Sequence, residues 1–402
     1  MKNILKYKNF SVNENLNVDI DLPNDIIEIS NAYIKAGKEV FVVGGAIRDY
    51  IQGKSPKDWD IVTNALPEES KQILKGFNVS DEQGKNFGVL RVFTKDEPLG
   101  YEIASYRKDI ASGRDTKGDD EKVEIGEHIT MADDASRRDL TMNALFYDIG
   151  KKEIIDLVGG IDDIKNGVVK AVGDASVRFI EDRLRICRVF RFAARTGGDI
   201  DPATADAIRK DNRLRGVGPK DDVSQERIWE EFNKAWSQVK DYNDYLNLFT
   251  EFDMWGEVFH GSDINTDNIN TNSLNVSMAN LFRNENPNRL RNKLVGNYKI
   301  DGSSADTIVF LLNFKNLTEE NGHKMKEALD EKNKDVENIK LDDIQEWIRV
   351  ERLGQLHQKF LQYRAKRLGD ELIEQGWKQG PKLGQEIRRR SIEDFKQFIS
   401  NR

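Results

Sequence analysis

The chain has 402 residues and a formal net charge of −8, with 38% hydrophobic and 33% charged residues. At about 100–200 residues a domain, this length predicts about two to four domains. No apolar run approaches the roughly 18–20 residues needed to cross a membrane, and residues 1–10 lack the apolar core of an export signal. The single cysteine, Cys187, excludes an internal disulfide and fits a reducing cytoplasm, where we expect the protein to act. The acidic charge argues against nonspecific coating of nucleic acid but allows a local basic surface.

Strand and helix signals alternate up to about residue 156, a pattern typical of an α/β domain built on a mixed sheet. In chain order we predict a polar extension over 1–22, a helix over 23–37, a strand over 40–43, a short helix over 46–52, a strand over 58–62, a helix over 67–74 and strands over 88–93 and 101–106.

After residue 160 we predict no further strands. Residues 175–240 and 341–400 have amphipathic helical patterns, the Asn-rich segment 261–275 is predicted to be a linker or long loop, and 316–340 is a charged stretch. The predicted fold class is therefore an α/β head, a mixed sheet with helices, followed by an elongated all-α remainder.

Two aspartates are candidate ligands for a metal ion. Asp58 and Asp60 are two residues apart on a predicted strand, so their side chains point to one face. Carboxylates this close repel one another unless a cation lies between them. The four histidines are scattered with no zinc-site spacing, so carboxylates are the candidate ligands and Mg²⁺ the favoured metal. Glu102, on a neighbouring strand, is the candidate third acid, the alternative being an ordinary strand carboxylate.

A glycine pair precedes these aspartates. Gly44 and Gly45 end one predicted strand and start a helix, where backbone N–H groups can approach a triphosphate. Arg48 lies on that helix and is a candidate phosphate ligand. The alternative interpretation is a simple glycine turn beside a solvated pair of acids.

A second constellation is SRRDLTMNAL, residues 136–145. Guanidinium groups bind phosphate in a bidentate manner, and Asp and Asn side chains can bind ribose hydroxyls. The candidates are Arg137, Arg138, Asp139 and Asn143. Without the first motif, the segment is equally compatible with a capped helix N-terminus.

A third constellation is RFIEDRLRICRVFRFAAR, residues 178–195. Asp182 and Arg185, three residues apart, are predicted to share one helix face. Cytosine and adenine each present an amino donor beside a ring-nitrogen acceptor, which an aspartate and an arginine match. Arg188 continues a basic stripe on the same helix. An intrahelical salt bridge on a solvated face is the alternative interpretation.

Together these stretches resemble the class II (bacterial and eukaryotic type) tRNA nucleotidyltransferase and poly(A) polymerase family of the polymerase-β superfamily. The resembling segments occur in the family's order and cover residues 23–234 nearly without a gap. They are VVGGAIRDYIQG…KDWDIVT, YEIASYR, RRDLTMNAL, IIDLVGGIDDIKNGVVKAVGD, RFIEDRLRICRVFRFAAR and VSQERIWEEFNK, with LGDELIEQGWKQGPKLGQEI at 368–387 resembling the tail of CCA-adding enzymes.

The resemblance implies four parts: a catalytic nucleotidyltransferase head over 1–157, a base-recognising neck over 158–235, a helical body over 236–340 and a tRNA-binding tail over 341–402. It implies a CCA-adding enzyme that transfers CMP and AMP from CTP and ATP to the tRNA 3′ end with release of pyrophosphate by a two-metal mechanism. No membrane or DNA partner is expected, and the sequence leaves the oligomeric state open.

By motif match, Asp58 and Asp60 bind two Mg²⁺ ions, with Glu102 as the added catalytic candidate. The nucleotide-binding candidates are Gly44, Gly45, Arg48, Arg137, Arg138, Asp139, Asn143, Asp182, Arg185 and Arg188. Residues 107–130 correspond to the family's flexible loop. Arg183 stands where a proline is common, and the loop over 108–126 is unusually acidic and glycine-rich, which leaves the switch from C to A addition open.

Three alternatives remain from sequence. A poly(A) polymerase shares the head and neck motifs, but such enzymes carry a glycine-arginine-arginine-phenylalanine element where this chain has GKNFGVLRVF (84–93). A partial enzyme would add only CC or only A. A catalytically dead RNA-binding module would be expected to have damaged metal ligands, and these are intact.

Overall fold

The computed structural model describes residues 15–56, 58–81, 88–109, 123–214, 223–331, 338–366 and 368–400. The chain divides into two compact units, one of residues 1–223 with 237–248 and the other of 224–236 with 249–402. Within the described ranges, no helix combines the length and the apolarity that a bilayer crossing requires.

The first unit contains the strands. They are β1 (Leu16–Asn17), β2 (Val40–Val43), β3 (Asp60–Thr63), β4 (Asn78–Ser80), β5 (Val89–Phe93), β6 (Tyr101–Ser105), β7 (Lys108–Asp109), β8 (Val123–Glu124), β9 (Leu145–Asp148), β10 (Glu153–Asp156), β11 (Val168–Val169) and β12 (Asp199–Ile200).

Eight of these described strands form one sheet, in the order β1-β10-β9-β2-β3-β6-β5-β4. In this sheet the strands β3 and β6 are parallel, and every other pair of neighbouring strands is antiparallel. The sheet is therefore mixed, as predicted. The central strand β2 is Val-Phe-Val-Val and is buried along its whole length, as expected for a strand covered on both faces. Its C-terminal end carries the glycine pair.

The helices of the first unit lie around this sheet and after it. They are α1 (Asn24–Lys35), α2 (Gly45–Ile51), α3 (Pro67–Ile73), α4 (Met131–Ser136), α5 (Gly160–Asn166), α6 (Ala175–Glu181), α7 (Leu184–Thr196) and α8 (Pro202–Lys210), with a 3-10 turn at Thr141–Asn143. The helix α7 ends at Gly197, whose φ of +66° is the left-handed conformation that closes helix C-termini.

Two helices contain the boundaries between the units, and the remaining helices belong to the second. The boundary helices are α9 (Gln225–Gln238) and α10 (Tyr242–Glu251). The others are α11 (Trp255–Val258), α12 (Leu274–Leu281), α13 (Pro287–Asn292), α14 (Gly302–Lys315), α15 (Gly322–Asp330), α16 (Leu341–Val350), α17 (Gln355–Gln362), α18 (Leu368–Glu374) and α19 (Pro381–Ser400), with a π-helical turn at Lys293–Asn297.

The second unit packs around aromatic side chains. The ring centroids of Phe232 and Phe249 lie 5.2 Å apart, and Phe259 contacts Phe282 and Tyr298 at 5.0 and 5.1 Å. These offset and edge contacts are the arrangements that aromatic pairs prefer in a core. No strand occurs among the described residues of this unit, so its all-α prediction is confirmed there.

Several predicted details were wrong. Residues 1–22 are not entirely an extension, because β1 joins the sheet by pairing with β10. Strands do not stop at residue 160, since β11 and β12 form a short parallel pair. The flexible loop predicted over 107–130 falls partly on residues 110–122, outside the described residues.

Candidate active site

The glycine pair sits where the central strand meets helix α2. Gly44 has φ of +75° and ψ of −127°, a backbone conformation that residues other than glycine rarely adopt. A Cβ added there would lie 3.7 Å from Arg138 Nη1 and 3.9 Å from Asp60 Oδ2. Gly45 has no such constraint and begins the helix. The turn therefore brings backbone, an arginine and a carboxylate together.

Two acids lie side by side on the parallel strands β3 and β6. Ile61 is opposite Ile103, so Asp60 and Glu102, each one residue earlier, point to the same face of the sheet. Asp60 is solvent-exposed as a residue, yet its carboxylate is densely surrounded, and its pKa is raised to about 6. Partial burial is the main cause, and the charges of Glu102 and then Asp58 act in the same direction, while Arg138 opposes them.

Asp58 lies before the strand rather than in it, because β3 begins at Asp60. The predicted two-residue spacing along one strand was therefore wrong, although Asp58 remains close enough to influence the pKa of Asp60. Among the described residues, no three His, Cys, Asp or Glu side chains are arranged so as to hold a metal ion. The Glu102 carboxylate is instead paired with Arg91 on the neighbouring strand β5.

Arg48 is buried rather than presented to solvent. Its Nη1 donates to Asn143 Oδ1 at 2.5 Å, its Nε and Nη2 donate to Asp49, and its guanidinium carbon lies 4.9 Å from the centre of the Phe192 ring. Burial lowers its pKa from the ordinary arginine value, with Arg195 adding to that effect. In this arrangement Arg48 braces helix α2 against the segment that contains Asn143.

Sequence reasoning missed Asp134. This carboxylate is fully buried and accepts hydrogen bonds from Arg137 Nε at 2.9 Å and from Arg138 Nη2 at 2.9 Å. Burial would raise its pKa, but the two guanidinium groups hold it below the usual range. Its position three and four residues before the arginines was the available signal, since side chains at these spacings meet on a helix. Asp134 fixes both candidate phosphate ligands.

Asp139 and Asn143 belong to one hydrogen-bond network. Asp139 Oδ1 accepts from the Leu140 N–H at 2.8 Å and from Asn143 Nδ2 at 3.2 Å, while its Oδ2 accepts from Arg188. Asn143 in turn accepts from Arg48 through its side-chain oxygen. These candidates, predicted from separate segments, are therefore in direct contact.

Asp182 and Arg185 do not share a continuous helix. The chain leaves α6 at Asp182, whose backbone is extended with φ of −147°, and α7 begins at Leu184. Asp182 Oδ1 accepts a hydrogen bond from the Leu184 N–H at 3.0 Å. The predicted common helix face was wrong because Asp182 lies in the extended backbone between α6 and α7.

Arg185 is held by several partners. Its Nη1 donates to Glu181 Oε2 at 2.8 Å, and its Nη2 donates to the carbonyl oxygen of Arg137 at 2.9 Å and to Asp109 Oδ2 at 3.2 Å. Arg178 supports the same corner by donating to the carbonyl oxygen of Ser136. The start of α7 is thus fastened to the backbone of the 136–145 segment.

The rest of the basic stripe on α7 is also paired. Arg191 donates to Gln238 Oε1 at 2.8 Å, and Arg195 donates to both oxygens of Asp49 at 3.1 Å. Both arginines lie over the ring of Phe192, at 4.5 and 6.0 Å. The alternative of an intrahelical salt bridge on a solvated face does not describe these two arginines, because Gln238 and Asp49 lie outside α7 and Arg191 is buried.

Gly160 is a second residue whose role sequence reasoning missed. A Cβ there would lie 2.2 Å from the carbonyl oxygen of Thr141, so only glycine lets α5 approach the 3-10 turn that carries Asn143. The Asp156 carboxylate accepts hydrogen bonds from four backbone N–H groups at the start of this helix. The glycine pair at 159–160 was the signal available in the sequence.

Residues 40–170 match the model of the poly A polymerase head domain. Over 245 residues the chain is 30% identical to poly(A) polymerase I of Escherichia coli O6:H1, a match covering 60% of this chain and 50% of that protein. Over 180 residues it is 39% identical to the CCA-adding enzyme of Ligilactobacillus salivarius, covering 45% of this chain and 42% of the relative. The chain spans about half the length of the curated relatives that it matches.

Among solved structures, the CCA-adding enzyme of Bacillus stearothermophilus in complex with CTP has a TM-score of 0.62 over 92% of each chain, at 21% identity. At that identity the likeness concerns the fold, and it confirms the predicted mixed sheet with helices followed by a helical C-terminal region. Residues 40–170 of this chain are therefore similar to the poly A polymerase head domain, and the resemblance to the tRNA nucleotidyltransferase and poly(A) polymerase family is confirmed as a resemblance.

Proposed function

We propose that the chain is a CCA-adding tRNA nucleotidyltransferase. It would transfer CMP and AMP from CTP and ATP to the 3′ end of a tRNA, without a nucleic-acid template. The observation that carries this proposal is the alignment of Asp60 with Glu102 on parallel strands, beside the glycine turn at Gly44. In the reaction, the 3′-hydroxyl oxygen forms a bond to the α-phosphate, the bond to pyrophosphate breaks, and pyrophosphate leaves.

The carboxylates fit a hard divalent cation. Asp58 and Glu102 lie close enough to Asp60 that their charges raise the free-energy cost of ionising it, and a cation would relieve that cost. Oxygen ligands of this kind favour Mg²⁺, and we propose two ions. Bound there, the ions would supply Lewis acidity for the attacking hydroxyl and neutralise charge on the departing pyrophosphate.

The protein's own groups have separate roles in this proposal. The backbone of Gly44 and Gly45 lies where a triphosphate can approach without meeting a side chain, at the start of α2. Arg137 and Arg138 each bind Asp134 through part of the guanidinium group. We assign the rest of each guanidinium group to phosphate binding. Asp139, Asn143 and Arg188 keep the sugar-binding segment in place.

Base selection is assigned to the start of α7. Asp182 presents carboxylate oxygen to an exocyclic amino group, and Arg185 presents N–H to a ring nitrogen. The several fixed partners of Arg185 orient its guanidinium before a nucleotide arrives. Guanine and uracil offer the reverse order of donors and acceptors, so this pair disfavours both.

The test is a tRNA transcript ending before its CCA, incubated with Mg²⁺ and CTP, ATP or both, with products measured to single-nucleotide resolution. We expect two additions with CTP alone and a third only when ATP is also present. A long ladder with ATP alone would instead establish a poly(A) polymerase, the second candidate, which the identity to poly(A) polymerase I favours. Additions of only CC or only A would identify a partial enzyme.

Asp58→Ala and Asp60→Ala are the matched variants. Both should abolish incorporation while keeping the circular dichroism spectrum of the parent, because both residues are solvent-exposed and neither contributes apolar packing to the core. Turnover retained in both variants, or no product from the parent chain under any condition, would overturn the assignment. The second result would revive the interpretation as a catalytically inactive RNA-binding module.

A further inference from the structure

Arg91 and Glu102 are direct partners across the antiparallel strands β5 and β6. Their side chains form an ion pair, with exposed fractions of 32% for Arg91 and 51% for Glu102. Directly opposed residues of unlike charge are a stabilising cross-strand pair. Here, however, one partner is the acid that the proposed reaction requires.

The backbone is shaped to hold Arg91 in this position. Gly100 lies immediately before β6 and two residues before Glu102, with φ of +82°. A Cβ at Gly100 would lie 2.5 Å from Arg91 Cγ and 3.0 Å from its Cδ. The arginine stem therefore lies flat across the space that glycine leaves, which directs the guanidinium along the strand to Glu102.

Two arginines, Arg138 and Arg91, partly offset the charges of the three acids Asp58, Asp60 and Glu102. Arg138 offsets the charges near Asp60 from one side, and Arg91 neutralises Glu102 from the other. A carboxylate oxygen engaged by a guanidinium is less available to a metal ion, because both demand the same lone pairs. We propose that Arg91 is a positioning residue that holds the Glu102 carboxylate and competes with a divalent cation for it.

This inference rests on the proposed function, since it takes Asp58, Asp60 and Glu102 as the cation ligands. Arg91 then sets how readily the third carboxylate joins the other two. It holds Glu102 while no cation is present and releases it when a cation offers a stronger partner. An exposed ion pair contributes at most about 1 kcal/mol, so the competition is modest and reversible.

The experiment measures Mn²⁺ binding to the full chain by electron paramagnetic resonance of the free ion, without RNA or nucleotide. Arg91→Met keeps the apolar stem over Gly100 but removes the competing charge. We expect it to bind Mn²⁺ about two- to fivefold more tightly than the parent, the range that an exposed pair allows. Asp60→Ala defines binding elsewhere on the chain.

Three controls separate competition for Glu102 from a general charge effect. Arg91→Lys retains a competing charge and should bind Mn²⁺ close to the parent. In the Glu102→Gln background, Arg91→Met should give a much smaller shift, because its partner is gone. Arg389→Leu removes an arginine from an exposed cluster on α19 and should leave Mn²⁺ binding unchanged.

Equal affinity of Arg91→Met and the parent, including no measurable binding by either, overturns the inference. A shift of the same size in the parent background and in the Glu102→Gln background also overturns it, since that result requires only a distant charge. Neither outcome depends on which nucleotides the protein transfers. Conversely, failure of the parent chain to extend tRNA would refute the proposed function. The Mn²⁺ affinities of Arg91→Met and the parent would still test the role of Arg91.

Discussion

Arg188 Nε donates a hydrogen bond to Asp139 Oδ2 at 2.8 Å, and Arg188 Nη2 forms an ion pair with the same oxygen at 2.7 Å. Asp139 follows helix α4 and Arg188 lies within α7, so this contact ties the segment 136–145 to the segment 178–195. Both segments carry candidate nucleotide-binding groups. Together with the hydrogen bonds from Arg178 and Arg185 to the backbone of the first segment, this carboxylate fixes their relative placement.

Asp139→Asn should destabilise the protein. Burial alone would raise the pKa of Asp139, but Arg188 and the hydrogen bonds from Asn143 and Leu140 hold it at about 2. A charged hydrogen-bond partner of this kind contributes about 2 kcal/mol. Urea unfolding at pH 7 should show a loss of that order. Because the pKa of Asp139 is lower in the folded chain, its carboxylate stabilises the protein fully at pH values above the unfolded-chain pKa near 4. This stabilisation is lost as the pH falls through about 2.

Asp206→Asn is the matched control for this measurement. Asp206 pairs with Arg209 on α8 at 3.6 Å, and both side chains are more than half exposed. Such a pair contributes little, so the change should stay within about 0.5 kcal/mol of the parent. An equal loss in the two variants would contradict the role assigned to Asp139.

The adjacent glycines should respond differently to alanine. Gly44→Ala places a side chain at φ of +75°, and the backbone strain should cost about 1–3 kcal/mol and most of the activity. Gly45→Ala adds a methyl group inside a helix, 3.4 Å from Arg48 Nη2, which is an ordinary contact. It should keep or slightly raise stability. Thermal unfolding and nucleotide incorporation would be measured for both variants. A Gly45→Ala variant that is less stable than Gly44→Ala would refute this account.

Asp182→Ser should relax the choice of base while keeping a side-chain acceptor for the Leu184 N–H. Serine is as good as aspartate at accepting the Leu184 N–H, so folding should be little affected. The shorter side chain no longer reaches a base edge. We expect GTP and UTP incorporation to rise relative to CTP and ATP, measured with one tRNA transcript in parallel reactions. Unchanged selectivity in a folded, active variant would exclude Asp182 from base recognition.

His323 should make the protein less stable in mild acid. Burial lowers the pKa of His323 below its usual value near 6.5, with Glu327 and Asp394 opposing that effect. Below that pH the unfolded chain takes up a proton more readily than the folded chain, so the free energy of unfolding falls as pH decreases. His323→Leu should reduce this slope between about pH 7 and pH 5. The pKa of His357 shifts in the same direction, so part of the slope should persist.

His128→Leu is the control for that series, because His128 is largely exposed and pairs with Glu124 at the surface. Urea unfolding at several pH values would be compared for the two variants and the parent. Equal slopes in all three chains would show that the burial of His323 does not govern the acid response.

Local patterns predicted the regular elements of the head well. The uninterrupted apolar run at 40–43 has the same limits as β2, and the helix over 67–74 differs from α3 by one residue. Side-chain alternation also placed Glu102 and Asp60 on neighbouring strands. Such predictions succeed because the sequence carries both the periodicity and the punctuation that end each element.

Long-range contacts were not predictable in the same way. Nothing near Arg48 in the sequence indicates that Asn143 and Phe192 will bury it, and nothing near Glu102 indicates Arg91 as its partner. The break at Asp182 was missed because helical periodicity continues on both sides of it, while the interruption is a change of backbone conformation at one residue. These features arise from tertiary packing, which helix and strand patterns do not encode.

The ring of Phe192 serves three cations at once, since Arg48, Arg191 and Arg195 all lie within 6.0 Å of its centre. An aromatic face attracts a guanidinium through its quadrupole, and an aliphatic side chain of similar volume has no such property. Any change at Phe192 therefore disturbs helix α2 and helix α7 together. Loss of the ring would remove a contact shared by all three arginines, whereas loss of one arginine would leave the other two on the ring.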